Sequence, residues 1–229
     1  MLILAIDTAS IYCAVALVQH KSVIARISQR IGKGHAEKLI GQIEQLTHQA
    51  NIKLDQINRI AVNIGPGSFT GIRIGIATAK ALALALEIPA IGVSSLEALA
   101  AQVANENITS TITVVIEAGR EMFYHQNFNN NLIALSKPSL KTPENIVADL
   151  LRHTILTGPA AEIIALYIRN NTISKGIIPV SIPCDAADIL TYARLAANKQ
   201  PQTPPRPSTY AMLMQNNKLI LLYHENNND

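Results

Sequence analysis

The stretch Gly65-Pro66-Gly67-Ser68-Phe69-Thr70-Gly71-Ile72-Arg73-Ile74-Gly75 comes nearest to a pattern that could do chemistry. It follows a short apolar run and opens a helical one, so N–H groups at a helix N-terminus could cradle a phosphate. The same glycines also suit a plain strand-to-helix connection that needs positive φ. A Walker loop is excluded, because the Gly-x4-Gly-Lys-Ser/Thr spacing and its lysine are missing. Asp7 closes the apolar run Leu2–Ile6, and with Gly65, Gly67 and Ser68 it makes the candidate nucleotide-binding set. The turn after it, Asp7-Thr8-Ala9-Ser10-Ile11-Tyr12, contains no glycine, so a tight backbone embrace of phosphate is not expected.

Other chemistry has little to stand on. His20, His35, His48, His125, His153 and His224 form no HxxxH or HxH pair, and no metal site is expected. His35, two residues before Glu37, reads as a solvent-exposed group at a helix start. Glu117 and Glu121 flank Arg120 and read as exposed charges of a hairpin turn. Cys13 and Cys184 make no CxxC, and no nucleophile-elbow GxSxG occurs, so no catalytic residue is assigned.

The helix after the glycine loop carries a second signal. Gly71, Gly75, Ala79 and Ala83 recur every four residues and leave one face nearly bare. Each helical glycine weakens a helix by about 1 kcal/mol relative to Ala, so close packing on that face should compensate. The partner is either this chain's own sheet or another subunit.

The elements that must position these residues alternate in a regular way. Strands are predicted at Leu2–Ile6, Cys13–Val18, Ser22–Ser28, Arg59–Ile64 and Ala90–Val93. Helices are predicted at His35–Ala50, where Leu39, Ile43, Leu46 and Ala50 share a face, at Thr70–Leu86, and from a Ser94 or Ser95 cap to Ala104. The second half predicts strands at Ile112–Ile116, Glu121–Asn127, Leu132–Ser136, Thr154–Thr157 and Ile177–Val180. Its helices are Pro143–His153, Ala160–Ile168, and one capped by Asp185 and running to Ala197. Each half thus reads βββαβαβα, which is the ribonuclease H-like order, and its tandem duplication is the actin-like ATPase architecture: an α/β fold with halves 1–104 and 105–229. Asn198–Pro207, with four prolines, reads as an extended linker, and Lys218–Tyr223 as a strand or a helix turn.

Composition narrows the class. Of 229 residues, 48% are hydrophobic and 15% charged, which excludes intrinsic disorder. The formal charge is +3 with no run of like charges, so any RNA role is expected to be shared with a partner. No apolar stretch reaches the ~20 residues of a spanning helix, and a cytoplasmic protein without membrane contact is expected.

The segments ILAIDTAS, HAEKLI, NIGPGSFTGIRIGIATAKALAL and IPAIGVSSLEALA, in this order, resemble the TsaB (YeaZ) family, closely over the first 100 residues and loosely beyond. The resemblance implies a noncatalytic scaffold in the complex that forms N6-threonylcarbamoyladenosine in tRNA beside the anticodon. It implies pairing with the catalytic subunit TsaD through N-terminal helices, the ATPase TsaE as a further partner, homodimers in isolation, and tRNA contact only through the complex. It implies no cofactor held by this chain alone, with room for ATP or ADP at the subunit interface. The interface is expected at Leu39, Ile43, Gly71, Ile72, Gly75, Ala79 and Ala83, so Gly75→Leu should abolish pairing and leave a folded monomer. Where TsaD carries an HxxxH metal pair, this chain has Leu99 and Val103. Two departures stand out: Glu117-Ala118-Gly119-Arg120 replaces an Asp-Ala-Arg-type turn, and Pro207–Met212 replaces a Pro-x-Tyr-Leu-Arg-like end. The alternatives are an autonomous actin-like ATPase or kinase, and a glycoprotease-type peptidase.

Overall fold

The computed structural model describes residues 1–20, 22–104, 110–151, 153–171, 179–201 and 205–208. The first sheet contains β1 (Leu2–Asp7), β2 (Tyr12–Gln19), β3 (Ser22–Arg30), β4 (Arg59–Asn63) and β5 (Ala90–Val93) in the order β3-β2-β1-β4-β5. The second contains β6 (Thr111–Gly119), β7 (Met122–Phe128), β8 (Ser139–Lys141), β9 (Thr154–Gly158) and β10 (Val180–Pro183) in the order β10-β9-β6-β7-β8. Numbered within each half, the two orders are identical. In both, a meander of three antiparallel strands is extended by two parallel ones.

The central strand β1 is buried along its whole length, which is why its sequence is continuously apolar rather than alternating. One face is covered by α1 (His35–Ala50) and α2 (Phe69–Ala85), the other by α6 (Ile189–Asn198). α3 (Ser95–Val103) belongs to the first half by sequence but packs on β6, β7 and β9 of the second, while α4 (Pro143–Ala148) and α5 (Ala161–Asn171) cover that sheet's outer face. The exchange of α3 and α6 makes one shared core, in which Ala5, Ala16 and Val93 join Ile112, Val114 and Tyr192.

Several boundaries differ from the sequence expectations, for local reasons. Leu132–Ser136 is not a strand. The Asn129 side chain accepts from the N–H groups of Asn131 and Ile133, Leu132 sits at φ 61°, and only Ala134 bridges to Phe128. The Ser136 hydroxyl then accepts from Asn127 N–H, and pairing resumes at Ser139. α4 stops at Ala148 instead of His153, which lies at φ 56°. Asp188, not Asp185, caps α6, its carboxylate accepting from Leu190 N–H at 2.9 Å. The last strand starts at Val180; Ile177 and Ile178 lie outside the described residues, as does Lys218–Tyr223. Of the proline-rich stretch, Pro205 is buried and Ser208 N–H donates to Ile64 O at 2.9 Å, so this part lies on the first half.

His125 in β7 is fully buried, and burial, reinforced by the Lys141 charge, pushes its imidazole down to about 4. The unfolded chain therefore takes up a proton between pH 6.5 and 4 that the folded chain refuses, and stability falls as pH falls through that window. Between pH 7.5 and 4.5 this group alone should remove about 2.5 kcal/mol. Urea unfolding of the parent and of His125→Leu at both pH values checks it: the variant should lose that much less on acidification.

Candidate functional site

The C-terminal ends of β1 and β4 lie side by side, with Ile6 opposite Val62, which brings Asp7 beside Asn63. Asp7 is 1% exposed. Its Oδ1 accepts from Ala9 N–H and from Asn63 Nδ2, each at 2.8 Å, and its Oδ2 accepts from Ser10 Oγ at 3.1 Å. Asn63 uses its whole amide: Nδ2 also donates to Tyr192 Oη at 2.9 Å, and Oδ1 accepts from Gly65 N–H and Ser95 Oγ at 2.8 Å. One side chain thus ties together β1, the glycine loop, the start of α3 and α6. Burial raises the Asp7 carboxyl above its ordinary value against the pull of its hydrogen bonds. Burial and then the Asp7 charge lift the Tyr192 phenol well above its usual value and the Cys13 thiol to about 11. The group is a satisfied interior network.

The glycine loop is clamped onto the β1–β2 turn. Ser68 N–H donates to Ala9 O at 2.7 Å, Ser68 Oγ caps α2 by accepting from Gly71 N–H, and Thr8 Oγ1 donates to Gly71 O at 2.6 Å. A Cβ on Gly71 would lie 1.8 Å from Thr8 O, and one on Gly75 would lie 2.5 Å from Thr8 Oγ1. The N–H groups of Ala9, Gly65, Ser68 and Gly71 therefore all point at protein acceptors. Of the candidate nucleotide-binding set, Asp7, Gly65 and Ser68 are thus hydrogen-bonded within the chain, and Gly67 packs against Ala9, where a Cβ would lie 2.4 Å from Ala9 O.

The bare stripe faces inward, which corrects the interface expectation. Leu39, Ile43, Gly71, Ile72, Gly75 and Ala79 are buried in the core between the helices and the first sheet, with Ala83 half-buried against it. Gly75→Leu would break the monomer rather than spare it. The residues that α2 turns outward include Arg73, Ala77, Lys80, Ala81 and Leu84, the last 82% exposed, and α1 on the same side of the sheet presents Ile40 at 58%. His35 is also corrected: it is buried, and its Nε2 is hydrogen-bonded to Tyr12 O at 3.2 Å. Leu99 and Val103 lie on α3, packed into the shared core. Glu117 and Glu121 are exposed at the β6–β7 hairpin.

A cleft of about 690 Å³ opens beside the network, lined by Asp7, Tyr12, Arg26, Ser28, Gln102 and the segment Cys184–Ile189. Gln102 spans its wall, accepting from Asp188 N–H and donating to Cys184 Sγ. Sequence reasoning missed Asn63, Ser95, Tyr192 and Gln102. The available signal was Asn63, a lone amide ending an otherwise apolar buried strand. Among the described residues no three His, Cys, Asp or Glu side chains gather as a metal-holding group, and no helix is long and apolar enough to cross a membrane.

Two sheets of identical order, each covered by the other half's last helix, with an Asp at the end of the first strand and a cleft beside it, define an actin-like ATPase fold. Solved structures agree on the fold: YeaZ from Pseudomonas aeruginosa matches with TM-score 0.71 at 23% identity over 86% of this chain and 90% of that one. The activator of 2-hydroxyisocaproyl-CoA dehydratase from Clostridium difficile, with bound ADPNP, matches with TM-score 0.51 at 10% identity over 86% and 93%. The chain belongs to the family described as "TsaD: tRNA N6-adenosine threonylcarbamoyltransferase", whose model matches residues 23–188. Among curated relatives it is similar to the tRNA threonylcarbamoyladenosine biosynthesis protein TsaB of Buchnera aphidicola subsp. Schizaphis graminum, 37% identical over 58% of this chain and 63% of that protein. The TsaB proteins of Bacillus subtilis and Escherichia coli are 36% and 38% identical over 54% and 52% of this chain. The matches span 53% and 51% of those two proteins, so the chain covers less than two thirds of the relatives' length.

Proposed function

We propose that this chain is a noncatalytic scaffold subunit in the formation of N6-threonylcarbamoyladenosine in tRNA, activating a TsaD-type catalytic subunit, with a TsaE-type ATPase as a further partner. The observation that carries the reading is the fate of Asp7: the carboxylate at the position of a metal-nucleotide ligand is buried and bonded to Ala9, Ser10 and Asn63. With the N–H groups of Gly65, Ser68 and Gly71 also engaged, the site supports rigidity rather than turnover. The exposed side of α2 offers a surface for pairing, with another subunit or with a second copy, and any ATP or ADP would sit at that junction. The test is threonylcarbamoyl transfer to tRNA by purified TsaD and TsaE from the threonylcarbamoyl-adenylate donor. Activity is expected only when the chain is added, with none from the chain alone; transfer unchanged by its omission would overturn the reading.

A further inference from the structure

From Thr8 to Ala36 the sequence contains no acidic residue but does contain Lys21, Arg26, Arg30 and Lys33. The structure buries β2 within the sheet and turns the part from Ser22 onward into one surface. β3 is an edge strand of nine residues, and all of them except Ala25 and Ile27 are exposed. Those two pack toward α1, so by strand alternation Arg26, Ser28 and Arg30 share the opposite face, with Arg26 and Arg30 about 13 Å apart. The chain then turns through the exposed Lys33, tied by the N–H groups of Ile31 and Gly32 to Ile11 O at 3.1 Å. Arg26 has an ion partner in Asp188 at 3.5 Å, with both side chains substantially exposed, a pairing weak enough to exchange for a stronger anion.

We propose that β3 and the loop after it hold the phosphate backbone of tRNA, so that this chain touches the nucleic acid itself rather than only through its partner. The inference rests on the scaffold reading above for its choice of tRNA. Charge complementarity selects a polyanion for the line of Arg26, Arg30 and Lys33, set against the Asp185 and Asp188 carboxylates of the adjoining cleft, and Ser28 on the Arg26 face supplies a hydroxyl that phosphate contacts use. Overall composition conceals this surface, because the basic residues are spaced along a strand instead of forming a run. Charged residues on an edge strand also serve to block edge-to-edge association, and the test separates the two roles.

The experiment measures binding of labelled, unmodified tRNA by the full chain and by Arg26→Gln/Arg30→Gln/Lys33→Gln, at 50 and 150 mM salt. The parent should bind with a negative salt slope. The variant should bind at least tenfold more weakly, with a slope smaller by about 2 to 3, roughly one per lost phosphate contact. Unchanged affinity and slope would overturn the proposal, as would absence of tRNA binding by the parent at 50 mM salt. It would be overturned equally if the variant self-associated while still binding tRNA, or if it lost binding to phosphatidylserine vesicles but not to tRNA. Pairing with the TsaD subunit is measured on the same two samples: pairing in both with an unchanged slope sinks this inference alone, whereas no pairing by the parent sinks the scaffold reading.

Discussion

Gly71→Ala is expected to lower the unfolding midpoint by roughly 10 °C. The added Cβ would lie 1.8 Å from Thr8 O and 2.9 Å from Thr8 C, and both obstacles are main chain that no rotamer change can move. Relief requires α2 to shift from the β1–β2 turn, lengthening the Thr8 Oγ1 to Gly71 O and Ser68 N–H to Ala9 O bonds that hold the joint closed. Overpacking costs about 1–3 kcal/mol and occasionally more, and an immobile neighbour puts this site at the upper end. For a chain of this size each kcal/mol moves the midpoint by about 2–4 °C. Gly41→Ala is the matched control: it lies on the exposed side of α1 with nothing within 4 Å, so the same substitution should stabilise by about 0.5–1 kcal/mol. Opposite signs in thermal unfolding would establish that the stripe is a close-approach surface within the chain. A Gly71→Ala midpoint within 2 °C of the parent would refute the joint.

That stripe also shows where the sequence stopped being informative. The element order was legible because β1, β2 and β4 are continuous apolar runs between helices of clear 3.6 period, and the doubling of the order exposed the duplicated fold. The direction of α2 was not legible. A helix that reads Ile-Gly-Ile-Ala-Thr-Ala-Lys-Ala-Leu-Ala-Leu-Ala is apolar on nearly every side, so spacing identifies the bare face but not what it meets. Contact with the Thr8 main chain decides it, and a contact between positions sixty-three residues apart leaves no local trace. The Asp185–Asp188 segment failed for a different reason: either carboxylate suits an N-cap, and only the bond to Leu190 N–H selects the second. Asn63 was overlooked because its importance lies in four simultaneous partners from four elements, and sequence records only the residue.

With the glycines committed inward, the pairing surface proposed above moves to the other side of the same helices, and that makes a sharper prediction than the sequence allowed. Ala77 and Leu84 are seven residues apart on the exposed face of α2, with Ala81 between them, and Ile40 projects from neighbouring α1. Neither Ala77 nor Leu84 belongs to the buried core, so Ala77→Glu/Leu84→Glu should leave the thermal midpoint within about 2 °C of the parent, as surface changes usually do. In a docked complex both carboxylates would be desolvated without partners, and a central anchor of this kind is worth 2 kcal/mol or more. Pairing with the TsaD subunit should weaken at least 100-fold, about 2.7 kcal/mol, and threonylcarbamoyl transfer at fixed subunit concentration should fall toward the level seen without the chain. Transfer should recover at high concentration of the variant, because the defect lies in association and not in a missing catalytic group. A variant that pairs normally would remove α2 from the interface. One that pairs poorly and still activates fully at low concentration would separate activation from pairing and end the scaffold reading.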